Sequence, residues 1–259
     1  ALRAALDERP KFLYTIPDFQ NPTGLLATAA RRRELVAAAA AASVLVVEDA
    51  FDADLSVEGD LPQPLAALAP GHVVHLGTIS KALFPGVRVG WISGPREFVH
   101  RLAALKRIGE LTSPPVLQAA LNVFVSRGDY DRHLLHVKAR LRTRLALAHK
   151  TVLRTFPVGT RCDRPLGGWV LWAELPEGIS GRALVEAARA EGVLVSPGGD
   201  YAPDRADVPS LRISVARSSG AELEKALESL GVLARTAVRR AHRRAPRAEE
   251  RREEALIQI

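Results

Sequence analysis

Gly77-Thr78-Ile79-Ser80-Lys81-Ala82-Leu83-Phe84-Pro85-Gly86-Val87-Arg88 follows the apolar run Val73 to Leu76 and sets one lysine among hydroxyls, with an arginine seven residues on. Two earlier runs resemble the one that leads into it. Phe12 to Ile16 is a short β-rich run stopped by Pro17 and followed by the turn signal Asn21-Pro22-Thr23-Gly24. Val44 to Val47 is a continuous β-branched run ended by Glu48-Asp49, the pattern of a parallel strand buried on both faces. Between them Ala27 to Ala42 is rich in Ala, Arg, Leu and Glu and predicts a helix. Strand ends near 16, 48 and 77 lie about thirty residues apart, the size of a βαβ unit. The alternation predicts an α/β fold, a mostly parallel sheet with flanking helices, whose ligand binds outside the carboxyl ends of the strands. Asn21, Asp49 and Lys81 each fall just past such an end.

Val89 to Ser93 predicts a fourth strand, and beyond Gly94 the pattern turns helical over 95–109, 115–126 and 130–155. A strand over 167–176, a helix over 181–191, strands over 193–195 and 211–216 and a helix over 221–233 then predict a smaller α+β domain. The expected division is a larger domain over residues 1–143, a small C-terminal domain over 144–234, and a basic, low-complexity tail over 235–259.

Composition narrows the function class. The 259 residues are 47% hydrophobic and 25% charged, ordinary for a globular protein. No run of about 18 apolar residues is present, so no membrane span is expected. The single cysteine, Cys162, excludes an internal disulfide framework and fits a reducing cytoplasm. Its simplest reading is a small buried hydrophobe. The tail from Arg235 holds eight arginines against four glutamates, so +4 of the net charge of +7 sits there. A basic excess that lies mostly in the tail argues against nucleic acid as the partner of the folded part.

The residues themselves suggest a chemistry. A lysine amine can form a Schiff base with an aldehyde, and Thr78, Ser80 and Arg88 can hydrogen-bond a phosphate dianion. Pyridoxal 5'-phosphate (PLP) carries both groups. It works as an electron sink when a carboxylate beside the ring nitrogen keeps that nitrogen protonated, and Asp49 is the candidate. Asn21 can reach the ring oxygen, and Arg212, a charge between Leu211 and Ile213 in a predicted strand, can clamp a substrate carboxylate. Each has a plainer alternative: a solvated loop lysine, a turn or N-cap aspartate, an arginine paired with an ordinary carboxylate.

Four segments in order, 17–24, 47–52, 77–88 and 210–214, resemble the motifs of the fold type I PLP-dependent aminotransferases of class I/II. Asp129-Tyr130-Asp131-Arg132-His133-Leu134 and Leu166 to Gly178 are similar to the aminotransferase-like domain of MocR-type GntR regulators and to aminoadipate-type aminotransferases. The resemblance runs from Lys11 to Leu233. It implies that Lys81 forms the internal aldimine and shuttles the α-proton. It implies further that Asp49 pairs with the pyridinium, Asn21 contacts the ring oxygen, Thr78, Ser80 and Arg88 hold the phosphate, and Arg212 binds the substrate α-carboxylate. Activity on an amino acid and a 2-oxo acid, and a homodimer, are implied as well. The alternatives are the PLP-binding effector domain of a MocR/GntR-type regulator without its DNA-binding domain, and an inactive remnant. Two departures stand out. Phe51 takes the place of a usual tyrosine, and the family's earlier segment, with its glycine-rich phosphate turn and ring-stacking aromatic, cannot fit in the ten residues before Lys11. The chain therefore reads as the C-terminal part of a larger protein with an incomplete large domain.

Overall fold

The computed structural model describes residues 2–204 and 206–244. The chain divides into two compact units. The first runs to Thr143 and also takes Pro165–Trp169; the second comprises Arg144–Arg164 and the described residues from Val170 on.

The first unit begins with helix α1 (Leu2–Asp7) and strand β1 (Phe12–Thr15), followed by α2 (Ala29–Ala41), β2 (Leu45–Asp49), the single-turn α3 (Leu65–Leu68), β3 (Val73–Thr78) and β4 (Gly90–Ser93). The Thr28 hydroxyl starts α2 by accepting from Arg31 N at 3.2 Å. The sheet order is β1-β2-β3-β4, with β1, β2 and β3 parallel and β4 antiparallel to β3. Leu13 pairs with Val46 and Val46 with Val73. On that face Val36 and Ala39 of α2 and Leu65 of α3 join them in one apolar core.

Strand β2 differs from the expected strand buried on both faces. Val46 and Glu48 are buried, whereas Leu45, Val47 and Asp49 are only half-buried. Helices α2 and α3 cover the first face; the second carries Tyr14 and Asp49, two of the polar residues described below. Helices α4 (Arg96–Glu110), α5 (Pro115–Ser126) and α6 (Asp129–Thr155) follow, and α6 continues into the second unit.

The second unit holds a three-stranded antiparallel sheet, β5 (Val170–Glu174), β7 (Ser210–Ser214) and β6 (Ser196–Pro197), in the order β5-β7-β6. Two helices accompany it, α7 (Gly181–Ala190), capped by Ser180, and α8 (Gly220–Arg244). Leu171, Ala173, Leu211 and Ile213 of the sheet and Leu184, Val185, Leu227 and Leu230 of the helices are all buried.

Three segments depart from the sequence reading. The strand expected over 193–195 is not formed: Val193 N bonds Ala188 O at 2.9 Å and finishes the helix end, so pairing starts at Ser196. The strand expected from Gly167 starts at Val170, because Gly167 and Gly168 lie against Phe19 of the first unit, where a Cβ would come within 2.3 and 2.6 Å of its side chain. Helix α8 runs through to Arg244, ten residues into the stretch read as tail; the rest of that stretch is outside the described residues. Among the described residues no helix is long and apolar enough to cross a membrane.

Candidate active site at the carboxyl ends of the first three strands

The loops that leave β1, β2 and β3 emerge side by side, because these strands are parallel neighbours. In the first loop the Gln20 side chain accepts from Thr23 N at 3.1 Å and from the Thr23 hydroxyl at 2.5 Å, and Gly24 closes the turn at φ 71°. That turn holds Asn21 at the surface.

Asp49 is the last residue of β2. Its Oδ2 accepts from the Tyr14 hydroxyl at 2.6 Å. Tyr14 pairs in register with Val47, two residues short of Asp49, and the long aromatic side chain spans that diagonal. Burial, with the bond to Asp49 adding, pushes the phenol up to about 12. Tyr14 therefore keeps its proton at neutral pH and donates, and Asp49 accepts. One hydrogen bond uses a quarter of the lone-pair sites of a carboxylate.

In the third loop Ser80 and Ala82 are buried while Lys81 between them is exposed. Its Nζ lies 5.8 Å from the centroid of the Phe51 ring, which follows Asp49 by two residues. Thr78 ends β3, donates to Val89 O at 2.9 Å and accepts from Ser80 N at 3.2 Å. Thr78 pairs with Gly90, and a Cβ at Gly90 would approach Gly77 O to 2.8 Å, so glycine permits this close crossing. Arg88 stands two residues before Gly90 with φ 48°, exposed, in a left-handed conformation that favours glycine. The β3–β4 connection thus brings Thr78, Ser80, Lys81 and Arg88 to one sheet end, beside Asp49.

On the opposite face of β2 lies Glu48, fully buried. It accepts from Leu65 N at 2.7 Å and Ala66 N at 3.0 Å, and its Oε2 lies 2.9 Å from His75 Nδ1. Burial alone would raise its carboxyl; the bonds from His75, Leu65 and Ala66 outweigh that and hold it below the usual range. The bond to Glu48 in turn raises His75, against its partial burial. Asp18 and Arg32 form a second buried ion pair under the first loop.

Arg212 belongs to the second unit. It pairs across the sheet with Trp172 and Ser196, and its guanidinium carbon lies 5.8 Å from the Tyr201 ring centroid. Tyr201 also packs edge-on against Trp172 at 6.3 Å. Burial, with Asp163 adding, pushes the Cys162 thiol up to about 12.

Sequence reasoning missed Tyr14, Glu48, His75, Asp18 and Arg32. Tyr14 left one signal, its alternation with Phe12 on a predicted strand. The partners of the others lie 14 to 27 residues away, where no local pattern connects them.

The fold and this strand-end arrangement define an α/β protein that presents a lysine, a carboxylate, two hydroxyls and an arginine at one sheet end. The sequence pattern described as Aminotransferase class I and II matches residues 1–230, and the chain belongs to that family. It is 30% identical over 222 residues to the HTH-type transcriptional regulator YdfD of Bacillus subtilis, covering 85% of this chain and 46% of the regulator. It is 31% identical over 208 residues to aromatic-amino-acid aminotransferase 1 of Thermococcus litoralis, covering 80% and 50%. Among solved structures, LysN, an α-aminoadipate aminotransferase from Thermus thermophilus complexed with N-(5'-phosphopyridoxyl)-L-leucine, superposes with a TM-score of 0.83. That match has 30% identity and covers 91% of this chain and 62% of LysN. The chain spans about half the length of the curated relatives it matches.

Proposed function

We propose that this chain carries the lysine-bearing part of a PLP-dependent aminotransferase that exchanges an amino group between an amino acid and a 2-oxo acid. The observation that carries the reading is the placement of Asp49 and Lys81 at the ends of adjacent, hydrogen-bonded parallel strands, with Tyr14 donating to Asp49. The residues present fit the cofactor: an anionic acceptor, an exposed amine over an aromatic ring, and Thr78, Ser80 and Arg88 grouped by one hairpin. When bound, PLP would supply an electron sink for charge developing at the amino acid's α-carbon.

The chain's own groups divide the work. Lys81 Nζ would hold the aldehyde carbon and later carry the α-proton. Asp49 would keep a proton on the ring nitrogen, and Tyr14, which retains its own proton, would orient that carboxylate. Arg88 and Ser80 would hold the phosphate, joined by Thr78 once its hydroxyl turns from Val89 O; Asn21 would hold the ring oxygen, and Arg212 a substrate carboxylate in a bidentate fork. The proposal includes a homodimer and a cytoplasmic location. Addition of PLP is expected to produce a visible absorbance band that is lost in Lys81→Ala; no band with the unaltered chain would sink the reading.

The match to YdfD supports a second reading, a PLP-binding effector domain of a MocR/GntR-type regulator. Half-reaction kinetics with a panel of amino acids separates the two. Conversion of the cofactor to its amine form favours the enzyme; a bound amino acid that persists unconverted favours the sensor.

A further inference from the structure

We propose that His133 is a positioning residue for Lys81: from the first turns of α6 it pins the carbonyl of Ala82 and so fixes the backbone that aims the lysine. The inference rests on the reading of Lys81 as the cofactor lysine. His133 Nε2 lies 2.8 Å from Ala82 O, across 51 residues of chain. A carbonyl oxygen only accepts, so Nε2 carries the hydrogen and the ring orientation is set.

The rest of the loop explains why this bond matters. Within itself the loop is held by two bonds: Ser80 N bonds the Thr78 hydroxyl at 3.2 Å, and Leu83 N bonds Ile79 O at 2.9 Å. These are local bonds that move with the loop. The bond to His133 ties the residue after Lys81 to a separate element, a helix of 27 residues. Ile79, Ser80 and Ala82 are buried around the exposed Lys81, so the loop has anchored shoulders and one free amine.

The same helix face makes a second tie. Tyr130, three residues before His133 and therefore on the same side of α6, donates to Asp54 Oδ2 at 2.5 Å. Asp54 lies five residues past Asp49, in the loop that leaves β2. One turn of α6 thus holds the loop after the carboxylate and the loop with the lysine at a set separation. Misplacement of a reacting group by about 1 Å costs on the order of 100-fold in rate, which gives such a tie functional weight.

The test uses His133→Phe, which keeps a ring and loses the donor, beside His133→Gln, which restores an N–H. Hydrogen exchange of the 79–84 amides, measured without cofactor, is expected to speed up roughly tenfold in His133→Phe, the loss of about one hydrogen bond, and to return toward the unaltered rate in His133→Gln. Borohydride trapping of added PLP at Lys81, read by mass spectrometry, is expected to slow in parallel. Unchanged exchange in His133→Phe overturns the proposal. So does a rise spread over the whole chain that glutamine does not rescue, since that marks a role in the fold. If the unaltered chain traps no PLP, the cofactor reading fails, and the cofactor-free exchange still decides whether His133 pins the loop.

Discussion

Arg32 is flanked by Arg31 and Arg33 near the start of α2, yet it is 1% exposed. Its guanidinium bonds Asp18 and the carbonyl of Ala27 at 3.1 Å, beneath the loop that carries Asn21. Charge patterning distinguishes polar from apolar positions, and it does not reveal which of three adjacent arginines turns inward. Removing one partner leaves the other charge buried and uncompensated, so Arg32→Leu is expected to lower stability by about 3–5 kcal/mol. Urea denaturation measures this, and the double variant with Asp18→Leu should recover most of the loss.

At the scale of elements, Glu48 explains a helix that sequence reasoning did not see. Four residues are too few for α3 to stand on propensity; the first-turn N–H groups of Leu65 and Ala66, which have no partner within the helix, are satisfied by a carboxylate from β2. His75 of β3 completes the tie, so two strands and one helix share a charged node. Its pH dependence has a defined sign. Glu48 is lowered, so its contribution is present above its unfolded value of about 4.5 and is lost as pH falls through the lower folded value. His75 is raised, so its contribution is present in full below about 6.5 and is lost as pH rises through the higher folded value. The urea midpoint is therefore expected to peak between about pH 4.5 and 6.5 as far as this node is concerned. It should decline on both sides, and His75→Leu should flatten the alkaline limb.

Over the whole molecule, α4 and α5 contribute no buried residue, and β4 is exposed along its length. Ile108, Leu111 and Val116 are 84%, 86% and 80% exposed, alongside the half-exposed Trp91, Ile92, Val123 and Val125. Exposed apolar groups at this density attract other apolar molecules. The folded chain is expected to enhance the fluorescence of a hydrophobic dye under native conditions. Ile108→Glu with Val116→Glu should reduce that signal without loss of helical circular dichroism; an unchanged signal would place the dye elsewhere.

The sequence by itself determined the βα alternation, the parallel start of the sheet and the identity of the strand-end residues. Hydrophobic period and turn chemistry are local properties, and Asp49, Lys81 and Arg88 are each addressed by them. Tertiary structure alone decided which face of β2 is covered, how far β5 and β6 extend, and which residues support the site. Tyr14 reaches Asp49 across 35 residues, Tyr130 reaches Asp54 across 76, and His133 reaches Ala82 across 51. Such bonds depend on register and on where a helix is packed, quantities set by burial over the whole unit. Lys81 is therefore legible in the chain, whereas the groups that hold its loop in place become visible only once the strands and helices are assembled.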